Sequence, residues 1–326
     1  MFTNTLLKLF PPPKFLDIPY SGLDISDDAI RCIDFSHHAK HLSIHKYGMK
    51  PLPIGTIESG NIKNKDVLIN TLSEFRKESN LYTVKVSLPE ERMYLFKTEI
   101  FATSEQEIKQ NIEFKLEENV PLSASDAIFF FDIIPNTVEE EDKRFASVSV
   151  APRDLVISYL DALRSAGLMT ISFEVQAKAC AHSLIPYKSR ETVIIVNIMD
   201  HKSGLYVVCG RTVCFTSTIS WGKKNMENTE NIHDAIDELK RELGKVNSYW
   251  VLHGHGTIIS KIILSGRGAL SPGLVSHCSP DAKIVAEIGQ VWKNAFPIDK
   301  YIPPIHMEDS LDYAVASGLA LPRFLN

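Results

Sequence analysis

The chain has 326 residues, of which 44% are hydrophobic and 23% are charged, the composition of a folded globular protein. Its formal net charge of −5 at pH 7 gives no attraction for nucleic acid, so we expect no nucleic-acid partner. The five cysteines have no Cys-x-x-Cys spacing, which argues against a disulfide framework or a zinc cluster. The length predicts two domains of ordinary size, or one two-lobed fold with inserts.

Residues 1–21 form an N-terminal tail ahead of the first predicted strand. The apolar side chains of a predicted short helix in this tail are Phe2, Leu6, Leu7, Leu9 and Phe10. We interpret the tail either as a segment that packs on the protein or as an anchor for a membrane surface or a partner. No apolar stretch reaches the ~20 residues that span a bilayer, and no secretory signal is recognised, so we expect a cytoplasmic location.

The next segment, residues 22–92, predicts the order strand, strand, strand, helix, strand. The predicted strands are residues 22–25, 29–35, 41–47 and 82–88. The apolar side chains of residues 66–78 recur at helical spacing. This segment therefore opens with a β-meander and continues into a helix and a further strand.

Residues 93–170 predict a compact α+β block, in the order strand, helix, strand, strand, helix. The predicted strands are residues 93–101, 127–134 and 145–151. Ser104 and Glu107 have the spacing of a capping box, which begins a helix that runs to Glu118. Gly167 is the expected stop of the second helix. We expect a small sheet that is covered by helices on one face.

From residue 169 the opening type of pattern returns. The predicted strands are residues 169–175, 193–198, 204–209, 213–218, 248–252 and 261–265. The predicted helices are residues 176–184, 232–243 and 314–321. The chain therefore contains a second β-meander that is again followed by a helix and strands.

Two such units predict an α/β class of protein, a two-lobed actin/hexokinase-like fold with a small α+β subdomain inserted in the first lobe. The first lobe is predicted at residues 22–92 and 171–191, the insert at 93–170 and the second lobe at 192–326. In that architecture the two meander hairpins face each other across a cleft and hold nucleotide phosphates. The hairpin turns are therefore the first candidates for a functional site.

The first hairpin turn lies within residues 22–31, GLDISDDAIR. This segment resembles the first phosphate hairpin of the PilM family of type IV pilus assembly proteins, in which backbone N–H groups face phosphate oxygens. Ser26 stands where the family has glycine, and Asp27 and Asp28 replace serines that would not repel a triphosphate. The resemblance implies that Asp24 orients Mg²⁺ through water and that Arg31 belongs to the same cofactor-binding set.

The second hairpin turn lies within residues 196–203, VNIMDHKS, and resembles the family's second phosphate hairpin. Asn197 replaces the family's aspartate. Met199 stands where glycine would approach the phosphate, and its side chain obstructs that approach unless the loop is reshaped. Asp200 and Ser203 complete the cofactor-binding candidates of this turn.

A third segment, residues 263–274 with the letters ILSGRGALSPGL, resembles the family's adenosine-side loop. Gly266, Gly268 and Ala269 follow the family's pattern. Arg267 replaces the middle glycine, where it either binds phosphate or fills an empty cleft.

Two further segments extend this resemblance along the chain. Residues 113–122 are similar to the helix exit in the family's inserted subdomain, and residues 313–321 are similar to its closing helix. With the three loops, the resemblance therefore covers nearly the whole chain.

The resemblance implies a site for ATP and Mg²⁺ whose loops are altered. By position in related actin-like ATPases, Gln176 is the catalytic candidate that orients the attacking water, although an amide is a poor general base. The alternative is that Gln176 is an ordinary residue in a first helical turn. The substituted turns predict a degenerate ATP site with weak or absent ATPase activity.

The resemblance also implies a cytoplasmic assembly-platform protein at the inner face of the cytoplasmic membrane. PilM proteins hold the cytoplasmic tail of PilN, a bitopic membrane protein, and associate with the membrane through such platform components. The tail would lie between the insert and the first lobe, with Phe129, Phe130 and Phe131 as expected contributors. Two alternatives stay open: an active actin-like ATPase or kinase, and an FtsA-like cell-division protein.

Overall fold

The computed structural model describes residues 18–37, 42–101, 104–134, 144–254 and 257–322. The predicted helix of the N-terminal tail lies outside these residues. The strands are β1 (Ser21–Ile25), β2 (Ala29–His37), β3 (Leu42–Pro51), β4 (Ile57–Glu58), β5 (Asn61–Ile62), β6 (Thr83–Leu88), β7 (Tyr94–Ile100), β8 (Ala127–Ile133), β9 (Arg144–Pro152), β10 (Met169–Val175), β11 (Thr192–Ile198), β12 (Ser203–Cys209), β13 (Thr212–Ile219), β14 (Ile259–Ser265) and β15 (Val285–Ile288).

The helices include every helix predicted from residue 22 onward, together with three short ones. They are α1 (Lys65–Glu78), α2 (Glu105–Asn119), α3 (Arg153–Ser165), α4 (Gln176–Leu184), α5 (Lys223–Glu227), α6 (Ile232–His253), α7 (Leu274–His277), α8 (Met307–Ser310) and α9 (Ala314–Ala320). Within the described ranges, two 3₁₀ turns lie at Glu90–Arg92 and Leu311–Tyr313. Among the described residues, no helix is long and apolar enough to cross a membrane.

The first lobe is built on a five-stranded sheet with the order β10-β6-β1-β2-β3. Strand β1 runs antiparallel to β2, with Asp24 opposite Arg31, and parallel to β6. Helix α1 covers one face through Leu72 and Phe75, and α3 packs into the same core through Tyr159. The helix at the end of the predicted insert block therefore contributes to the core of the first lobe.

The second lobe is built on a sheet of the same design, with the order β13-β12-β11-β14-β15. Strands β11 and β12 form the second hairpin, and β14 runs parallel to β11. Ile236, Leu239 and Trp250 of α6 lie in the core of this lobe. The repeated arrangement of meander, helix and parallel strand confirms the predicted two-lobed α/β fold.

The insert is a three-stranded antiparallel sheet with the order β7-β9-β8, covered by α2. The predicted capping box is present, because the Ser104 and Glu107 side chains each accept the other residue's backbone N–H. Ile112 is fully buried against the sheet. The Ser147 hydroxyl of β9 donates to the Val213 carbonyl of β13 at 2.5 Å, so the insert also contacts the second lobe.

Helices α4 and α9 lie against each other between the two sheets. Gly318 allows this contact, because a Cβ at that position would overlap the carbonyl oxygen of Ala179. A Cβ on Gly22 of β1 would likewise overlap the backbone of Ala316. The closing helix, which the sequence division placed within the second lobe, thus packs closely on the first sheet.

One predicted strand is wrong: residues 248–252 belong to α6, which continues to His253. The apolar run there suggested a strand. The structure instead continues the helical spacing from Leu243 through Val246 to Trp250, all of which are buried. Gly254 follows as the C-cap. Burial of this stripe on the second sheet outweighs the local strand-like composition.

Candidate functional site

A small polar cavity lies where the β1–β2 turn, the β11–β12 turn and the loop after β14 meet. Its volume is about 20 Å³, room for about one water molecule. The candidate residues that line it are Asp24, Ser26, Asp28, Arg31, Gln176, Asn197, Met199, Asp200, Gly266 and Arg267. The three segments that were singled out in the sequence therefore converge on one cleft between the lobes.

The β1–β2 turn binds its own polar groups. The Ser26 hydroxyl donates to Asp28 Oδ1 at 2.6 Å, and the Ser26 N–H donates to the Ala29 carbonyl at 3.0 Å. Arg31 donates from Nη1 to Ser26 Oγ and from Nη2 to Asp28 Oδ2, each at 3.0 Å. Burial acts to raise the pKa of Asp28, but Arg31, the Ser26 hydroxyl and Arg267 together outweigh it and hold that pKa below its usual range.

Asp24 lies at the base of the cavity and is 4% exposed. Its Oδ1 accepts the Ser87 hydroxyl at 2.7 Å and the Gln176 side-chain amide at 3.3 Å. Burial raises the pKa of Asp24 above its usual value, against the opposing effects of Arg31 and these two donors. The two residues expected to position magnesium-bound and attacking water are thus bonded to each other.

The β11–β12 turn and the loop after β14 form the opposite wall. The Met199 N–H donates to the Lys202 carbonyl at 3.0 Å and closes the turn. Gly266 has a φ of +82°, and a Cβ there would overlap the Ile198 carbonyl and lie 2.9 Å from Asn197 Oδ1. Glycine is therefore required at position 266 for the loop to approach β11 so closely.

Arg267 is paired with carboxylates of the cleft. Its Nε donates to Asp312 Oδ2 at 2.8 Å, and its Nη1 lies 3.6 Å from Asp200 Oδ2. The guanidinium therefore occupies part of the space between the lobes.

Four predicted site residues do not line the cavity. The buried Ser203 hydroxyl donates to the Trp221 carbonyl at 2.7 Å. Gly268 packs on Ile198, and Ala269 is fully buried in the second-lobe core. The fourth is Asp27, whose carboxylate turns away to accept backbone N–H groups of the β4–β5 hairpin at 3.0 and 3.2 Å.

Sequence reasoning missed the residues that the C-terminal segment brings to the cavity. They are Leu311, Asp312, Ala314 and Val315. The segment was recognised as a closing helix, but no local signal places Asp312 beside Arg267, 45 residues away. Within the described residues, no group of three or more His, Cys, Asp or Glu side chains is placed to hold a metal ion.

A second charged contact lies beside the cavity. Lys202 Nζ is 2.8 Å from Asp27 Oδ2 and also pairs with Glu91. Burial acts to lower the pKa of Lys202, but the two carboxylates outweigh it and raise that pKa. The neighbouring Glu90 is buried and accepts the Ala177 N–H at 3.1 Å, and burial raises its pKa to about 7. Sequence reasoning did not predict the pairing of Lys202 with Asp27 and Glu91.

The three phenylalanines of β8 do not share one environment. Phe129 and Phe131 pack against the core of the insert. Phe130 lies on the other face, with its ring centroid 5.3 Å from Lys178 Nζ of α4. Lys178 also binds Asp132 of β8 at 2.7 Å. The side of β8 that carries Phe130 therefore faces the first lobe, where the groove was expected.

Two lobes with repeated meander topology and a cleft between their hairpin turns define the actin-like class of protein. Among solved structures, the chain is similar to one described as the PilM-PilN type IV pilus biogenesis complex, with a TM-score of 0.76 and 18% identity over 93% of this chain and 98% of that one. It is also similar to the ethanolamine utilization protein EutJ from Carboxydothermus hydrogenoformans, with a TM-score of 0.51 and 11% identity over 95% and 90% of the two chains. These two similarities establish the fold.

The family follows from the sequence. A family model described as type IV pilus assembly protein PilM matches residues 22–250. The chain therefore belongs to the PilM family of type IV pilus assembly proteins. A search of curated proteins finds no match.

Proposed function

We propose that this protein is an assembly scaffold that holds the cytoplasmic tail of a PilN-like bitopic membrane protein. It works at the inner face of the cytoplasmic membrane, in a type IV pilus or a related secretion or competence machine. The observation that carries the proposal is the family match together with the fold shared with the PilM-PilN complex. Membrane association comes through the partner and other platform components.

The groove between the insert and the first lobe has features that suit a peptide. In the described residues, β7 and β8 are the edges of the insert sheet, and an edge strand is where an extended peptide can add to a sheet. Phe130 and Lys178 supply an apolar and a polar contact on the inner side. These features support the groove as the place where the tail binds.

Charge also favours this partner. Acidic residues outnumber basic ones in residues 93–170, which hold the insert. The cytoplasmic flanks of membrane-spanning helices are rich in Lys and Arg. A basic tail would therefore be attracted to the acidic insert before its apolar residues dock.

The cleft fits MgATP poorly, which supports a degenerate site. Its described lining carries four carboxylates, Asp24, Asp28, Asp200 and Asp312, against two guanidiniums. Arg31 and Arg267 are already paired with Asp28 and Asp312. The excess negative charge would repel a triphosphate, and Met199 lines the wall where the family has glycine. We infer that scaffolding does not depend on ATP hydrolysis.

The test is calorimetric titration of the full chain with a synthetic peptide. The peptide has the sequence of the N-terminal cytoplasmic segment of the PilN-like protein from the same organism. We expect binding that Phe130→Ala weakens about tenfold, and no heat with MgATP. Phe114→Ala, which removes an 84% exposed ring on α2, is the matched control and should leave the affinity unchanged. Absence of peptide binding would refute the scaffold, and micromolar binding of MgATP would restore an active nucleotide site.

A further inference from the structure

One cation of the second lobe reaches across the cleft to carboxylates of the first lobe, and a second cation pairs with the C-terminal segment beside it. Lys202, from the β11–β12 turn, pairs with Asp27 in the β1–β2 turn and with Glu91 after β6. Arg267, from the loop after β14, pairs with Asp312 ahead of α9. We propose that these ion pairs form an internal clamp that holds the lobes together at the place where a nucleotide bridges them in actin-like ATPases.

The Lys202 contact has the geometry of a link between lobes rather than of a loose surface pair. The Lys202 and Glu91 side chains are 17% and 13% exposed, so solvent screens their attraction only in part. Asp27 is held independently, because its two carboxylate oxygens accept the N–H groups of Ser59 and Gly60. The lysine thus binds a carboxylate that is already fixed to the first lobe.

The Arg267 contact fastens the C-terminal segment to the second lobe, where the Leu311 carbonyl also accepts the Gly266 N–H at 3.2 Å. Asp312 lies in the 3₁₀ turn that leads into α9, and α9 packs on β1. The next residue, Tyr313, meets the Tyr47 ring of β3 edge-on with centroids 6.2 Å apart. Arg267 therefore helps to hold in place the C-terminal segment that packs on the first sheet.

The chemistry of the clamp parallels that of a bound nucleotide. In a nucleotide site, the ligand's phosphates supply the anion and a bound metal supplies the cation. In the Lys202 contact both charges belong to the chain and lie on opposite lobes. Removal of Lys202 would lose its attraction and leave the Asp27 and Glu91 carboxylates repelling each other. The chain's own ion pairs therefore hold the cleft closed without a ligand. Because these pairs are electrostatic, they weaken as salt concentration rises.

The clamp explains what keeps the cleft closed, and it rests on the proposed function, in which scaffolding needs no nucleotide. Its consequence is that the first-lobe wall of the peptide groove stays in place without ATP. The contact between Ser147 and Val213, which ties the insert to the second lobe, is held by the same closure.

The test is hydrogen–deuterium exchange of the full chain with Lys202→Met. The readout is the opposite lobe, residues 24–31, where faster exchange reports loss of the contact that Lys202 makes across the cleft. We expect exchange there to rise about fivefold. Lys261→Met is the matched control, since Lys261 pairs with Glu191, next to β11, and with Glu287 of β15, away from the cleft turns, and it should leave residues 24–31 unchanged.

A second variant, Asp27→Asn, keeps the side-chain size and should speed exchange in residues 199–203 of the other lobe. Unchanged exchange across the cleft in both variants, with native circular dichroism, would overturn the clamp. Protection of residues 24–31 by MgATP in the unaltered protein would overturn it as well. Titration with the tail peptide runs in parallel: its failure would refute the scaffold, whereas the exchange result alone decides the clamp.

Discussion

Replacement of Glu90 by glutamine should stabilise the protein at alkaline pH. Glu90 is 6% exposed and lies at the junction of the lobes, where its Oε2 accepts the Ala177 N–H at 3.1 Å. The Thr216 side chain of β13 also hydrogen-bonds to it. Burial outweighs these two donors and raises the pKa of Glu90 from 4.5 to about 7. Ionisation of Glu90 in the folded protein therefore lowers the free energy of unfolding.

The sign and size of the effect follow from this difference. Between pH 4.5 and 7 the folded protein binds a proton at Glu90 that the unfolded chain has lost, so stability falls as pH rises through this range. Below pH 4.5 both states are protonated and the cost vanishes. Above pH 7 the full cost is present, about 3 kcal/mol for a pKa difference of this size.

Urea unfolding followed by tryptophan fluorescence measures this cost. We expect Glu90→Gln to be more stable than the original protein by about 3 kcal/mol at pH 8 and by less than about 1 kcal/mol at pH 5. Any pH-independent effect of the glutamine side chain on the free energy of unfolding cancels when the two pH values are compared. Glu238→Gln, on the exposed face of α6, is the control and should show no such change. An equal gap between Glu90→Gln and the original protein at both pH values would refute the reasoning.

Three substitutions test the packing of the fold. Gly318→Ala should lower the free energy of unfolding by at least about 2 kcal/mol, because its Cβ would overlap the Ala179 carbonyl. Gly244→Ala should raise that free energy by about 0.5–1 kcal/mol, since its Cβ meets Pro280 at an ordinary 3.8 Å. Both are measured by urea unfolding, and equal effects would contradict the packing of α4 on α9. Ser104→Ala should destabilise α2 by about 1 kcal/mol through loss of the cap, seen as faster amide exchange in its first turn; unchanged exchange there would show that the cap contributes little.

Local signals were enough to predict most elements of the fold. The Ser104 and Glu107 pair begins α2 as expected, because a capping box depends only on residues three apart. The repeated meanders could be predicted for a similar reason, because the alternation of apolar and polar residues in a strand is a local pattern. The error at residues 248–252 has the opposite cause. Those residues form helix because Trp250 is buried on the second sheet, and that packing is invisible in a short apolar run.

The candidate site could be predicted only in part. Asp24 and Arg267 were expected to meet because each belongs to a loop with a recognisable pattern, and both line the cavity. Asp27 was expected beside them, yet its carboxylate turns to the β4–β5 hairpin and to Lys202. The direction of a side chain in a turn depends on partners distant in sequence, and Lys202 lies 175 residues away. Asp312 was missed for the same reason.

The charges in the cleft also explain why loss of glycines at these turns is compatible with a stable fold. Asp28 could not be buried beside Asp24 without Arg31, which binds Asp28 at 3.0 Å and opposes the rise that burial causes in the pKa of Asp24. Arg267 pairs with Asp312 at 2.8 Å and lies 3.6 Å from Asp200. Two guanidiniums thus offset part of the charge of the four carboxylates that disfavour a phosphate. This partial compensation lets the acidic turns pack in the closed cleft and still leaves the excess negative charge that disfavours a triphosphate.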